Sequence, residues 1–138
     1  MVGTKFYSFV EARAEKKHNL GSDTLKVMLT LVAPVVTNTV KADLTEIAAG
    51  NGYTAGGTAT TITSSLQTNG LYKLVVTDVV FTASGGSMAA FRYAVLYNDT
   101  ATNDELIGSY DAGASITLGV GESFTVDFDP TNGVFQDT

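Results

Sequence analysis

Cysteine and tryptophan are absent from this 138-residue chain, which holds a single histidine and two prolines. Without cysteine there is no disulfide framework, no thiolate nucleophile and no thiolate-ligated zinc. One histidine leaves most imidazole-based catalysis and His-rich metal sites without their parts. Basic residues are scarce too: eight Lys plus Arg stand against fourteen Asp plus Glu, a net charge of −6 that repels phosphate and argues against a nucleic-acid partner. No apolar run approaches the ~20 residues that span a bilayer, so no membrane partner is expected. Met1-Val2-Gly3-Thr4-Lys5-Phe6 shows no basic region followed by a long apolar one, and no signal peptide is expected. The length suits one domain able to bury about two-thirds of its unfolded surface without a metal or disulfide staple.

The charge that is present is unevenly placed. Up to Lys41, six basic residues (Lys5, Arg13, Lys16, Lys17, Lys26, Lys41) meet three acidic ones, a net of +3. From Ala42 onward two basic and eleven acidic residues leave −9. Such asymmetry reads as head-to-tail contact between copies, as an N-terminal arm meeting an acidic neighbour, or as an ordinary solvated surface.

The first twenty residues differ from the rest. Phe6, Phe9, Val10 and Ala14 recur at steps close to a helical period, and Ala12-Arg13-Ala14-Glu15-Lys16-Lys17 favours helix. Residues 1–20 are therefore expected to form an N-terminal arm or a short helix from Ser8 to Lys17. Phe6, Tyr7 and Phe9 are either satellite core or interface anchors. A turn over His18–Asp23 separates this segment from a second one, residues 21–138, rich in β signals. Twenty threonines and fourteen glycines supply strand and turn chemistry.

Strands are expected at Leu25–Leu31, Thr58–Leu66, Leu71–Thr82, Phe91–Tyr97, Leu106–Tyr110, Ser115–Leu118 and Ser123–Phe128, with a last short one at Val134-Phe135. Asn69-Gly70 is the turn between the second and third. Leu71–Thr82 is apolar on both faces and reads as a central strand. In Phe91–Tyr97, Phe91, Tyr93, Val95 and Tyr97 share one face by simple alternation. Asp43–Ala48 is one helical turn or an edge strand. Ala48–Thr58 is a long structured loop anchored by Tyr53. Short antiparallel strands without βαβ alternation make the chain mainly β: an antiparallel β-sandwich, jelly-roll or immunoglobulin-like, with a short N-terminal arm or helix.

Catalytic constellations are poor. His18 lies in a polar turn beside two lysines, with no Gly-x-Ser-x-Gly elbow, and reads as a capping or surface histidine. A glycosidase's carboxylate pair would lack a Trp stacking platform. Asp127–Gly133 and Asn98–Glu105 are rich in oxygen, but the first has the wrong spacing for an EF-hand and no closing Glu. Both read as turns whose side chains satisfy local amides, with calcium as the other use. The glycines of 50–57 lack the Gly-Lys-Ser/Thr ending of a phosphate loop. No enzyme activity, cofactor or metal is expected.

Four stretches taken together carry a resemblance. They are His18-Asn19-Leu20-Gly21-Ser22-Asp23-Thr24-Leu25-Lys26-Val27, Val40 through Tyr53, Phe91 through Thr100, and Gly121-Glu122-Ser123-Phe124-Thr125-Val126-Asp127-Phe128. In this combination the chain resembles small virion proteins of tailed bacteriophages, associated with capsid decoration (cement) or related particle-surface roles, over residues 6–134. It departs at Arg13 and Lys17, charged where relatives are expected to be apolar. The resemblance implies a virion structural protein made in the bacterial host cytoplasm and placed on the capsid surface. Its partners would be the major capsid protein and copies of itself, as a trimer or other small homo-oligomer. The interface residues expected on this reading are Lys5, Phe6, Phe9, Arg13, Lys16, Lys17 and Tyr53. A tail, fibre or adaptor component is the alternative. So is a host-surface carbohydrate-binding module using exposed Tyr53, Tyr97 and Tyr110.

Overall fold

Ten strands and one helix follow one another in the structure, a computed structural model that describes residues 3–138. They are β1 (Gly3–Lys5), α1 (Tyr7–Ala14), β2 (Leu25–Thr30), β3 (Thr58–Thr60), β4 (Ile62–Thr68), β5 (Leu71–Val76), β6 (Val79–Thr82), β7 (Phe91–Asn98), β8 (Leu106–Ile116), β9 (Ser123–Val126) and β10 (Phe135–Asp137), with a 3₁₀ turn at Lys41–Asp43. All pairings are antiparallel. One five-stranded sheet has the order β1-β8-β7-β2-β3, and β10-β5-β4 and β6-β9 form two smaller sheets. The chain is thus mainly β and sandwich-like, with one short helix near its N-terminus.

The main core is filled by alternate residues of facing strands. Leu25, Val27 and Leu29 of β2 and Ala94 and Leu96 of β7 meet Leu74 and Val76 of β5, Val79 and Phe81 of β6, and Val126 of β9. Met28 of β2 and Val95 and Tyr97 of β7, on the other face, are buried as well. Met28, Val95 and Tyr97 form a second, smaller cluster with Phe6 and Leu106, and Leu44 from the loop after β2 packs against it. The central pair of the large sheet is therefore covered on both sides, which explains the near-continuous apolar run in each strand.

Two face assignments change. Leu71–Thr82 is not one central strand. It divides at Thr77-Asp78 into β5 and β6, which belong to different sheets, and Asp78 accepts the Phe128 N–H at 2.9 Å across the break. Its two apolar faces arose from two strands each burying one side. Phe91 also leaves the face of Val95 and Tyr97. The β7–β8 register shifts between Phe91 and Tyr93, so Phe91 turns into the main core, edge-on to Phe124 at 5.1 Å. Opposite, β8 runs unbroken through Asp111-Ala112-Gly113, where Gly113 takes a φ of 93°. That segment is a bend within one strand, where the sequence suggested a turn between two.

Asn69-Gly70 closes the β4–β5 hairpin with φ of 51° and 84°, the mirror-image turn whose twist matches antiparallel strands. Asp43–Ala48 is neither a helical turn nor a strand over its length. The 3₁₀ turn ends at Asp43, and Glu46 makes one isolated bridge to Thr30.

Candidate functional site

The N-terminal segment was the sequence's candidate interface. Its β1 pairs with β8, Gly3 opposite Tyr110 through Lys5 opposite Gly108. The Phe6 N–H then donates to the Ile107 carbonyl at 3.2 Å. Phe6 and Phe9 are each 1% exposed. Phe6 lies in the smaller cluster, and Phe9 lies in the main core against His18 and the edge of Phe135. These two aromatics are core, so they are withdrawn as interface anchors. Packing is continuous across residue 20, and among the described residues there is a short helix packed on the sandwich and no separate arm. Full burial of such a ring stabilises by about 1.5–3 kcal/mol, more than enough to hold an eight-residue helix down.

Arg13 is spent locally: its guanidinium pairs with Asp137 of β10 and lies over the Phe135 ring. Lys17 is 3.9 Å from Glu15. Lys26 pairs with Asp99 at 3.2 Å, and Arg92 with Asp111 at 2.8 Å. Two of these pairs, Arg13–Asp137 and Lys26–Asp99, join the basic segment to the acidic one within the chain, although each exposed pair contributes only about 0–1 kcal/mol. Lys5 and Lys16 are exposed and make no ion pair among the described residues.

Tyr53 is also interior, at 3% exposed, and is withdrawn as a contact residue. Its hydroxyl donates to Glu46 Oε1 at 2.7 Å and accepts the Leu29 N–H at 3.1 Å. The same carboxylate oxygen accepts the Gly56 N–H at 2.5 Å, and Tyr97 donates its hydroxyl proton to the Gly56 carbonyl at 2.5 Å. Burial, then the bond to Glu46, pushes the Tyr53 hydroxyl pKa well above its usual value of 10.0. This latch fixes the loop over residues 48–57 to the centre of β2. The loop is anchored by Tyr53, as expected, and is part of the scaffold. Tyr97 and Tyr110, the other carbohydrate-contact candidates, are 1% and 6% exposed and sit on strands. Burial pushes Tyr110 up to about 12. None of the three tyrosines offers a platform to a sugar.

His18 is not a surface histidine: it is 7% exposed. The Asn98 side-chain oxygen accepts the N–H groups of Thr100 and Ala101 at 3.0 and 3.1 Å, which sets the amide's orientation. Asn98 Nδ2 then donates to His18 Nδ1 at 3.0 Å and to Asp23 at 2.6 Å. His18 Nδ1 must accept, so its proton is assigned to Nε2, which finds no partner among the described residues. Burial lowers the His18 pKa below 6.5, against the pull of Glu105 and Asp23. A histidine lowered in the folded state binds its proton more readily when unfolded, so stability must fall as pH drops through about 6.5. We expect the melting temperature to fall between about pH 7.5 and 5.5, and His18→Gln to flatten that interval. A wild-type melting temperature constant across it would contradict the assignment. Asp43, Asp111 and Asp129, lowered chiefly by hydrogen bonds, act separately, and their contribution is kept above 3.8 and lost only below it, as pH falls through their lowered folded values.

Both oxygen-rich loops use their side chains on their own backbone. Asp129 Oδ1 accepts the Thr131 and Asn132 N–H groups at 2.8 and 2.9 Å, while Asn98 serves Thr100 and Ala101. Among the described residues no three His, Asp or Glu side chains are grouped to hold a metal ion.

What sequence reading missed is an apolar outer surface. Tyr7 and Val10 project from α1 at 67% and 46% exposed, and Leu31, Val32 and Val35 from the loop after β2 at 47%, 60% and 56%. The Tyr7 N–H donates to the Val36 carbonyl at 3.0 Å, and Ser8 reaches Asn38, which sets the outer side of α1 beside that loop. The signal was present in Leu31-Val32-Ala33-Pro34-Val35-Val36, but an apolar run does not say whether anything covers it. Lys5 precedes the helix and Lys16 and Lys17 follow it, with exposed Glu11 one turn on from Tyr7 and exposed Glu15 beside Lys17. No helix among the described residues is long and apolar enough to cross a membrane.

No family model matches the chain, and no curated protein or solved structure proved significantly similar to it.

Proposed function

We propose that this chain is a non-enzymatic structural protein of a tailed-bacteriophage particle, a capsid decoration (cement) protein that binds the outer surface of the major capsid protein shell and stabilises it. The observation that carries the reading is the exposed apolar set Tyr7, Val10, Leu31, Val32 and Val35, with charged residues of both signs, Lys5, Glu11, Lys16 and Lys17, on and next to the helix. Apolar side chains with a charged rim are the anatomy of a protein interface. The sequence resemblance and the tightly latched sandwich behind the patch add support. The contact first assigned to Phe6 and Phe9 passes to Tyr7 and Val10, on the opposite side of the same helix. Acidic surface on the capsid protein or on a neighbouring copy would complement Lys5 and Lys16, which make no ion pair among the described residues, and copies would associate as a trimer or other small homo-oligomer.

Sedimentation of purified protein with undecorated particles tests this. Tyr7→Ser combined with Val10→Ser should weaken binding by at least about tenfold, the loss of roughly one buried apolar side chain, without lowering the melting temperature. Lys5→Glu with Lys16→Glu should slow association, most visibly at low salt. Unchanged binding by both double variants would overturn the proposed surface. Copy number separates the shell from a tail or fibre position, since a decorated shell carries hundreds of copies and a tail a few up to some dozens.

A further inference from the structure

We propose that two copies of this chain pair edge to edge through β4, joining their β10-β5-β4 sheets across a two-fold axis at Leu66. The proposal adds a specific contact to the reading above, from which it borrows only that copies meet. Since its test uses isolated protein, its failure leaves shell binding unaffected.

β4 is the outer strand of its sheet, with β5 its one partner. It is seven residues long, Ile62-Thr63-Ser64-Ser65-Leu66-Gln67-Thr68, without charge or proline. Natural sheets blunt exposed edges with short strands, charges, prolines or bulges. The other edges here follow that rule. β1, β3 and β10 have three residues each, and β6 and β9 have four, with Asp78, Glu122 and Asp127 beside them. On β4 the one such device is the bulge between Ile62 and Ser64, and beyond it the register to β5 is regular as far as Thr68. A long, uncharged edge stands out against five protected ones.

Hairpin geometry decides which backbone groups point outward. The two-residue turn makes Thr68–Leu71 a hydrogen-bonded pair, and alternation makes Leu66–Lys73 the next. Ser65 and Gln67 therefore direct their N–H and C=O groups away from β5. Neither backbone makes a hydrogen bond outside that pairing among the described residues. An antiparallel second copy centred on Leu66 would set Ser65 opposite the other copy's Gln67 twice over. That satisfies all four donors and all four acceptors, with Ser64 facing Thr68 and no two like charges opposed. This register lies wholly beyond the bulge.

The side chains agree. Leu66 is 68% exposed, the most exposed large hydrophobic residue among those described. At the centre of the pair it would meet its own copy in the close, non-hydrogen-bonded position, Cβ atoms about 4.5–5.5 Å apart. The residue the monomer leaves most wasteful is the one the two-fold would cover.

The natural absence of cysteine makes the test clean. Leu66→Cys should cross-link into a covalent dimer under mild oxidation with diamide. Lys73→Cys lies on the same face but one strand in, so its two copies would be ~14 Å apart across three strand spacings and should stay uncross-linked. In sedimentation equilibrium the wild type should show a reversible dimer. Leu66→Lys should raise its dissociation constant by more than about tenfold, with an unchanged melting temperature in dilute solution, where both proteins are monomeric. A wild type monomeric up to about 1 mM, or equal cross-linking at positions 66 and 73, would overturn the proposal.

Discussion

Phe9→Ala is expected to cost about 3–5 kcal/mol, the range for truncating a large buried ring, out of a total stability on the order of 5–15 kcal/mol for a domain of this kind. Phe9 sits in the main core, in contact with the His18 ring at 5.2 Å and the Phe135 ring at 5.1 Å. Removing it opens a cavity where α1, the turn after it and β10 meet. Tyr7→Ser, two residues away and on the outer side of the helix, should change stability by no more than about 0.5 kcal/mol. Denaturant midpoints of the two variants separate an integral segment from a detachable arm. A loss for Phe9→Ala as small as that for Tyr7→Ser would mean that the segment does not pack as described. Deleting residues 1–17 cannot serve as a binding test for the same reason. It removes Phe6, Phe9, Ala12 and the β1–β8 pairing together, and unfolding is the expected result.

Gly57→Ala should be more damaging still, more than about 4 kcal/mol. Gly57 has a φ of +82°, and a Cβ there would run into the Val27 carbonyl and the Met28 Cα, both main chain of the central strand β2. Backbone at the centre of a sheet cannot step aside as a side chain end can. The Glu46–Tyr53 latch holds the loop against the strand from the other direction. Gly121→Ala is the control, with nearly the same φ, +84°, and nothing within 4 Å of the added carbon. It should cost only the backbone strain, about 1–2 kcal/mol. Equal losses for the two would show that conformation, not close approach, governs position 57.

Local chemistry was legible in the sequence. Asn69-Gly70 announced its hairpin, apolar and aromatic runs marked β2 and β7, alternation marked β9, and Tyr53 between glycines marked an anchored loop. What covers each face was not legible. Alternation along Phe91–Tyr97 assumes an unbroken register, and the shift opposite Gly113 turned Phe91 to the other side. Leu71–Thr82 looked uniformly buried because two strands met end to end with opposite faces inward. Phe6 and Phe9 had two readings, core or interface, and their own spacing could not decide between them. Nothing near His18 in sequence signals that Asn98, eighty residues on, would enclose it. The apolar outer surface was hidden for the converse reason: Leu31–Val36 is as apolar as a core strand, and only the fold leaves it uncovered.

A decoration protein is defined by where it sits, which a cryo-EM map of a particle carrying this chain reads out. Density for the sandwich is expected on the outer face of the shell, repeated over the lattice, with Tyr7, Val10 and the Leu31–Val36 loop turned toward the capsid protein. Density for the chain in the tail, or on the shell with that surface facing solvent, would contradict it.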